Sequence, residues 1–310
     1  MSHPIRPLKE LHGAAGTTHA ALYAPDPVLS GCVRAYLSRT ITGAARLTPD
    51  ERCNRFPPTP TCVVVWVLRG HDSRVPESGS ASSERTDRLP VVFSGPHTRA
   101  SSSRNPGPVH FFTMLMYPDA VQALTGLAIG PHVDRYSPFA DLFDLDWQRM
   151  AREVIDAEDD RARVRSIEAF LRPRWETVQA RGCGTPPSSR IGVSTADGSP
   201  RIEQWVGSVL ERAPTRDGEV GERQGARRIR AWTGQTSRQL RGLARMESAL
   251  IGANRSDGAR RIRWSDLAAA NGFSDQAHLC REFRRHIGMR PGDLVRGLAH
   301  ESAWVLRIWE

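Results

Sequence analysis

Residues 266–294, DLAAANGFSDQAHLCREFRRHIGMRPGDL, decide how this chain is read. Residues 264–271 (WSDLAAAN) are good helix formers, and Ser265 is placed to cap them. Gly272 and Phe273 then make a turn, and residues 274–286 (SDQAHLCREFRRH) form a second helix with Ser274 where an N-cap belongs. Gly288 and Pro291 stop that helix. Leu279, Phe283 and Ile287 recur at i, i+4 and i+8, the spacing of a buried stripe. Gln276, Ala277, Cys280, Arg281 and Arg284 share a different stripe, which is polar and basic. Helix, glycine turn, helix is a helix-turn-helix. Only a few side chains near the N-terminal half of such a second helix reach base edges in the major groove. Gln suits adenine there, and Arg suits guanine or a phosphate.

A second, weaker copy lies upstream. Residues 221–240 (GERQGARRIRAWTGQTSRQL) align without gaps on residues 275–294, so that Arg227 meets Arg281, Arg230 meets Arg284 and Gly234 meets Gly288. Ile229 takes the core place of Phe283. Between the copies, residues 238–250 (RQLRGLARMESAL) read as one continuous helix with Leu240, Leu243 and Leu250 buried. A rigid helix between two units can set two recognition helices on one face of DNA.

These residues carry a resemblance to the AraC/XylS-type transcriptional regulators. The turn GFSDQAH and the run REFRRHIGMRP carry its second half, and RRIRAWTGQTSRQLRGLAR is similar to the first unit of the same family. The likeness covers about residues 201–298. It implies an all-helical DNA-binding domain of two helix-turn-helix units, preceded by a separate domain for effector binding or dimerisation, often cupin-like. The sequence departs from the pattern at Gly225, where the first recognition helix has a core Leu, and residues 214–220 (PTRDGEV) read as loop. A glycine costs about 1 kcal/mol in a helix interior, besides its lost packing. The first unit is therefore expected to hold the DNA backbone through Arg223 and Arg227, and whether it reads bases stays open.

Charge agrees with a polyanionic partner. Lys plus Arg number 43 against 34 acids. Residues 201–310 hold 20 Arg and 13 acids, a net +7, while the rest of the chain is nearly balanced. The dominance of arginine over lysine is also what a GC-rich coding bias produces. That bias does not explain why the charge gathers at one end.

The first 180 residues read differently. Residues 1–22 lack periodicity and are expected to be a mobile tail. Residues 62–68 (CVVVWVL), 89–94 (LPVVFS) and 109–116 (VHFFTMLM) are strand-like, 76–88 is a Ser-rich loop, and helical periodicity follows over 119–125, 139–156 and 160–175. Residues 181–200, with four Gly and three Pro, are the expected linker. The fold class is thus α+β: a β-rich, cupin-like domain with appended helices over 23–180, then an all-α domain over 201–310. Trp66, Phe93 and Phe111 are candidates for an effector pocket in the first domain.

No uninterrupted apolar stretch of some 18 residues occurs, so no membrane partner is expected. The N-terminus lacks the apolar segment of a signal peptide. The five cysteines form no CxxC pair, so reduced thiols in the cytoplasm are expected. His71, His97 and His110 lie near strands without an H-x-H pair, so no metal and no cofactor is expected. The expected function is a regulator that binds double-stranded promoter DNA, controlled by a small-molecule effector, not an enzyme, with a homodimer left open. The alternative is an enzyme of the DNA-repair alkyl-transfer type, targeted by the helices, which needs an activated cysteine. A third reading is a module that binds only other proteins.

Overall fold

A computed structural model describes residues 5–13, 16–71, 73–74, 89–182, 202–213, 219–254, 262–288, 290–293 and 301–309. The Ser-rich loop 76–88, Cys183 and the expected linker beyond Gly182 lie outside the described residues.

The β-branched run at 62–68 becomes the inner strand of an antiparallel sheet. The strands are β1 (Pro7–His12), β2 (Thr18–Tyr23), β3 (Val33–Ile41), β4 (Cys53–Phe56), β5 (Cys62–Arg69), β6 (Ser73–Arg74), β7 (Val91–Ser94), β8 (Ser101–Arg104), β9 (Val109–Met116) and β10 (Tyr136–Pro138). Seven of them form a sheet in the order β1-β2-β3-β9-β5-β7-β10, and β4-β8-β6 form a second. Residues 1–22 are therefore no mobile tail where they are described, because Pro7–His12 and Thr18–Tyr23 pair with each other and β2 pairs with β3. The stretch between the strand-like runs 89–94 and 109–116 also contains a strand, β8.

The two faces of the large sheet do different jobs, as the period of two dictates. On one face Cys62, Val64, Trp66, Phe112 and Met114 are fully buried. They pack against α1 (Pro118–Thr125), α2 (Leu145–Asp156) and α3 (Asp160–Ala180). The Trp66 indole N–H donates to the Ala151 carbonyl at 3.1 Å, which fixes α2 on β5. The opposite face carries Val63, Val65, Phe111 and Thr113 toward a cavity.

The C-terminal helices are α4 (Ile202–Arg212), α5 (Glu219–Thr233), α6 (Ser237–Asn254), α7 (Trp264–Ala270) and α8 (Gln276–Ile287), with a last turn at Trp304–Arg307. They divide between two cores. Trp205, Val209, Ile229 and Leu240 join the core of the N-terminal half. Leu250, Ala268, Phe273, Leu279 and Phe283 form their own. The first unit is thus built into the N-terminal half, and Asp119 at the start of α1 shows how. Its carboxylate, 4% exposed, accepts from the Trp205 indole at 2.9 Å and from Arg212 at 2.5 Å. The apolar segment at 304–309 packs back onto the protein, with Trp304, Val305, Leu306 and Ile308 buried.

Candidate nucleic-acid interface and ligand cavity

The helix-turn-helix read at 264–286 is present as α7, a glycine turn and α8. Gly272 takes φ +70°, a left-handed conformation that glycine adopts without strain. Phe273 plugs the turn into the small core, the Arg245 guanidinium lies 5.3 Å from its ring, and the same side chain donates to the Gly272 carbonyl at 3.0 Å. The connecting helix α6 therefore holds the turn directly. The caps differ from expectation by a residue or two. Asp275, not Ser274, caps α8, accepting from the His278 amide at 2.6 Å, while the Ser274 hydroxyl sits 3.0 Å from His278 Nδ1. Arg263 stands at the N-cap of α7 without a side-chain bond, and the Ser265 hydroxyl turns to Asp266 at 3.1 Å.

Leu279 and Phe283 are buried and Ile287 is half-buried, so α8 presents the expected inner stripe. Gln276, Ala277, Arg281 and Arg284 are exposed together on the other side, with Cys280 half-buried at its edge. Arg281 and Arg284 make no ion pair among the described residues. Gly288 ends the helix at φ +77°, and Arg284, Arg285 and His286 occupy its last turn, where cations suit the helix dipole. That end is anchored: the Ala100 amide donates to the His286 carbonyl at 2.9 Å, and His286 Nδ1 lies 3.3 Å from the Thr98 carbonyl. The N-terminal half of α8, with Gln276 and Arg281, is left in solvent.

The first unit departs further. Arg223 and Arg227 are exposed on α5, and Ile229 is buried below them. Gly225 is buried too, where a larger side chain stood in the family pattern. The helix rests on α1 and on residues 130–132 of the N-terminal half. Gly234 takes φ +70° beside it, within 2.7–3.3 Å, for an added Cβ, of Val133 and Gly130.

A cavity of about 210 Å³ lies between the two sheets, α6 and the C-terminal turn. Phe111, one of the three candidates, lines it. Trp66 and Phe93 do not: both point to the opposite face and are fully buried against the helices. Their places on the cavity wall go to Val63, Val65 and Val92, beside Met246 and Leu250 of α6. Two arginines missed in the sequence also line it. Arg34 pairs with Glu247 of α6 at 2.8 Å and lies 4.1 Å from the Trp309 ring. Arg39 pairs with Glu301 at 2.5 Å beneath Trp304. Burial pulls the Arg39 guanidinium below its usual value although Glu301 opposes this, and it stays charged at neutral pH.

Two of the thiols are unsuited to serve as an activated nucleophile. Burial pushes Cys32 and Cys62 well above the ordinary thiol range. Catalysis by a cysteine needs the opposite shift. His110, considered above as a metal ligand, instead faces the Asp160 carboxylate at 3.5 Å and the Ser38 hydroxyl at 3.4 Å. Among the described residues no helix is long and apolar enough to cross a membrane.

Fold and site together define an α+β protein whose β-rich half, with its own helices, is followed by a helical part bearing a solvent-facing helix-turn-helix. No protein-family profile matches the chain, and no curated protein sequence does. Solved structures of ToxT from Vibrio cholerae are similar to it in arrangement. That of strain O395 covers 83% of this chain and 96% of its own, at 9% identity and a TM-score of 0.35. ToxT with a bound unsaturated fatty acid covers 79% and 93%, at 11% identity and a TM-score of 0.35.

Proposed function

We propose that this chain is a cytoplasmic, sequence-specific regulator of transcription of the AraC/XylS type, which reads double-stranded promoter DNA with α8. The observation that carries the reading is the exposure of Gln276, Ala277, Arg281 and Arg284 on one stripe of a helix whose other stripe is locked into a core. Arginine contacts to phosphate supply most of the affinity, which then falls steeply with salt. Base choice comes from Gln276 to Arg281, with Cys280 at the margin. Arg223 and Arg227 of the first unit hold the backbone.

The division of labour follows the same lines. Residues 23–180 form the sensing part, extended by β1 and β2, and residues 201–310 the DNA-binding part. A small effector fits the cavity lined by Phe111, where it would touch the β-rich half and α6 at once. Purified protein tests the reading by footprinting across genomic DNA. A protected sequence in a promoter, lost in an Arg281→Ala/Gln276→Ala variant that is still folded, is the expected result. Protection with no sequence preference, or none at all, would overturn it.

A further inference from the structure

The β1–β2 hairpin gathers three side chains that the DNA-binding reading does not use. We propose that Glu10, His12 and His19 form a site for a divalent transition-metal ion of the zinc class. Glu10 and His12 stand two residues apart on β1 and so share a face. His19 on β2 is the direct cross-strand partner of His12. One donor atom from each of the three lies within 4.8 Å of the others. The Glu10 carboxylate is 3.2 Å from His19 Nε2, and the two imidazole centroids are 4.8 Å apart.

Those separations are close to what a metal requires. Bonds of about 2.0–2.2 Å in a tetrahedron place neighbouring donors roughly 3.4 Å apart. Glu10 and His19 already stand at that separation. His12 is exposed, and a small rotation about its side-chain bonds closes the rest. The hairpin fixes the register of all three. The Gly13 amide donates to the Thr18 carbonyl at 3.0 Å, and a Cβ on Gly13 would fall 2.0 Å from the Thr18 hydroxyl, so the turn is closed tightly. Two imidazoles and one carboxylate suit zinc and its first-row neighbours rather than calcium or magnesium. The fourth position is left to water. A bound ion would tie β1, the outermost strand of the sheet, to its neighbour.

The test is zinc alone, titrated into the full-length chain against a chromophoric competitor, with thermal unfolding followed in parallel. One zinc per chain is expected, together with a rise in the unfolding temperature. His12→Ala and His19→Ala should each weaken zinc by more than the roughly 10–100-fold that losing a mere supporting partner costs. Neither should alter DNA binding or the circular dichroism spectrum, because His12 is exposed and His19 only half-buried. Absence of a stoichiometric site overturns the proposal. So does undiminished zinc binding by the His12→Ala/His19→Ala variant, which would put the ion on other ligands. If zinc binds as expected while footprinting fails, the hairpin site stands and the DNA reading falls.

Discussion

Arg281 is the residue on which direct readout of DNA turns, because it is exposed, unpaired among the described residues and close to the N-terminal half of α8. Arg281→Ala is expected to weaken operator binding by about 1–3 kcal/mol, some fivefold to 150-fold in a band-shift titration. An equal loss on unrelated DNA would reassign it to the backbone. Two glycines offer a comparison of stability. Gly288 sits at φ +77° with open space around an added Cβ, so Gly288→Ala should cost only the conformational strain, about 1 kcal/mol in urea unfolding. Gly234 has the same left-handed conformation, but its added Cβ would stand 2.7 Å from Val133 Cγ2 and 3.2 Å from the Gly130 backbone. Gly234→Ala should therefore cost distinctly more, and equal losses would refute the close packing of α5 on the N-terminal half. Both glycines, and Gly272, were legible in the sequence because a helix stop leaves a chemical mark. The cap at Asp275 was not distinguishable from its neighbour, since Ser274 and Asp275 are equally good caps.

The elements were legible where their own pattern sufficed. Helices α6 and α8 carry period-3.6 stripes, α7 is made of good helix formers, and β5 and β9 are rich in β-branched, aromatic and other apolar residues. Strand β1 was hidden because PLKELH has no clean alternation, and Leu8 in it is 41% exposed. Its strand character comes from the neighbour it pairs with, not from its residues. The metal-ligand cluster was hidden for the same reason, since His12 and His19 meet only through the hairpin. The continuous run at 62–68 shows a strand but not its faces: with both sides apolar, nothing in it tells Trp66 of the core from Val65 of the cavity. The packing of α4 onto α1 was equally invisible, since it rests on Asp119, Trp205 and Arg212, far apart in sequence. Asp119→Ala removes the acceptor of a buried indole and of a partly exposed guanidinium, and should cost about 2–3 kcal/mol in denaturant unfolding. A loss under 1 kcal/mol would mean that α4 is held by apolar contact alone.

At the scale of the molecule, the C-terminal turn is clasped to the sheet by charges buried at the cavity rim. Glu301 accepts from Arg39 at 2.5 Å and from the Thr18 hydroxyl at 2.7 Å, with Arg307 at 3.5 Å. Burial by itself would raise the Glu301 carboxyl, but the bond and charge of Arg39, aided by Thr18 and Arg307, outweigh it and hold the group below its usual 4.5. Asp160 behaves alike: burial raises it, and His110, Ser38 and Arg163 together hold it low. Each carboxyl thus binds protons less readily folded than unfolded. The stability it contributes is complete above its unfolded pKa, near 4 to 4.5, and is lost as pH falls through the lower folded value. Urea unfolding in steps from pH 7 to pH 3 should therefore give a level free energy down to about pH 5 and a decline below it. Glu301→Gln should start lower at pH 7, because Arg39 at 3% exposure loses its counter-charge, and should then decline less steeply in acid. A variant with the native acid slope would show that the clasp takes no part in holding the two halves together. The slope left in Glu301→Gln is the share of Asp160 and the remaining carboxylates.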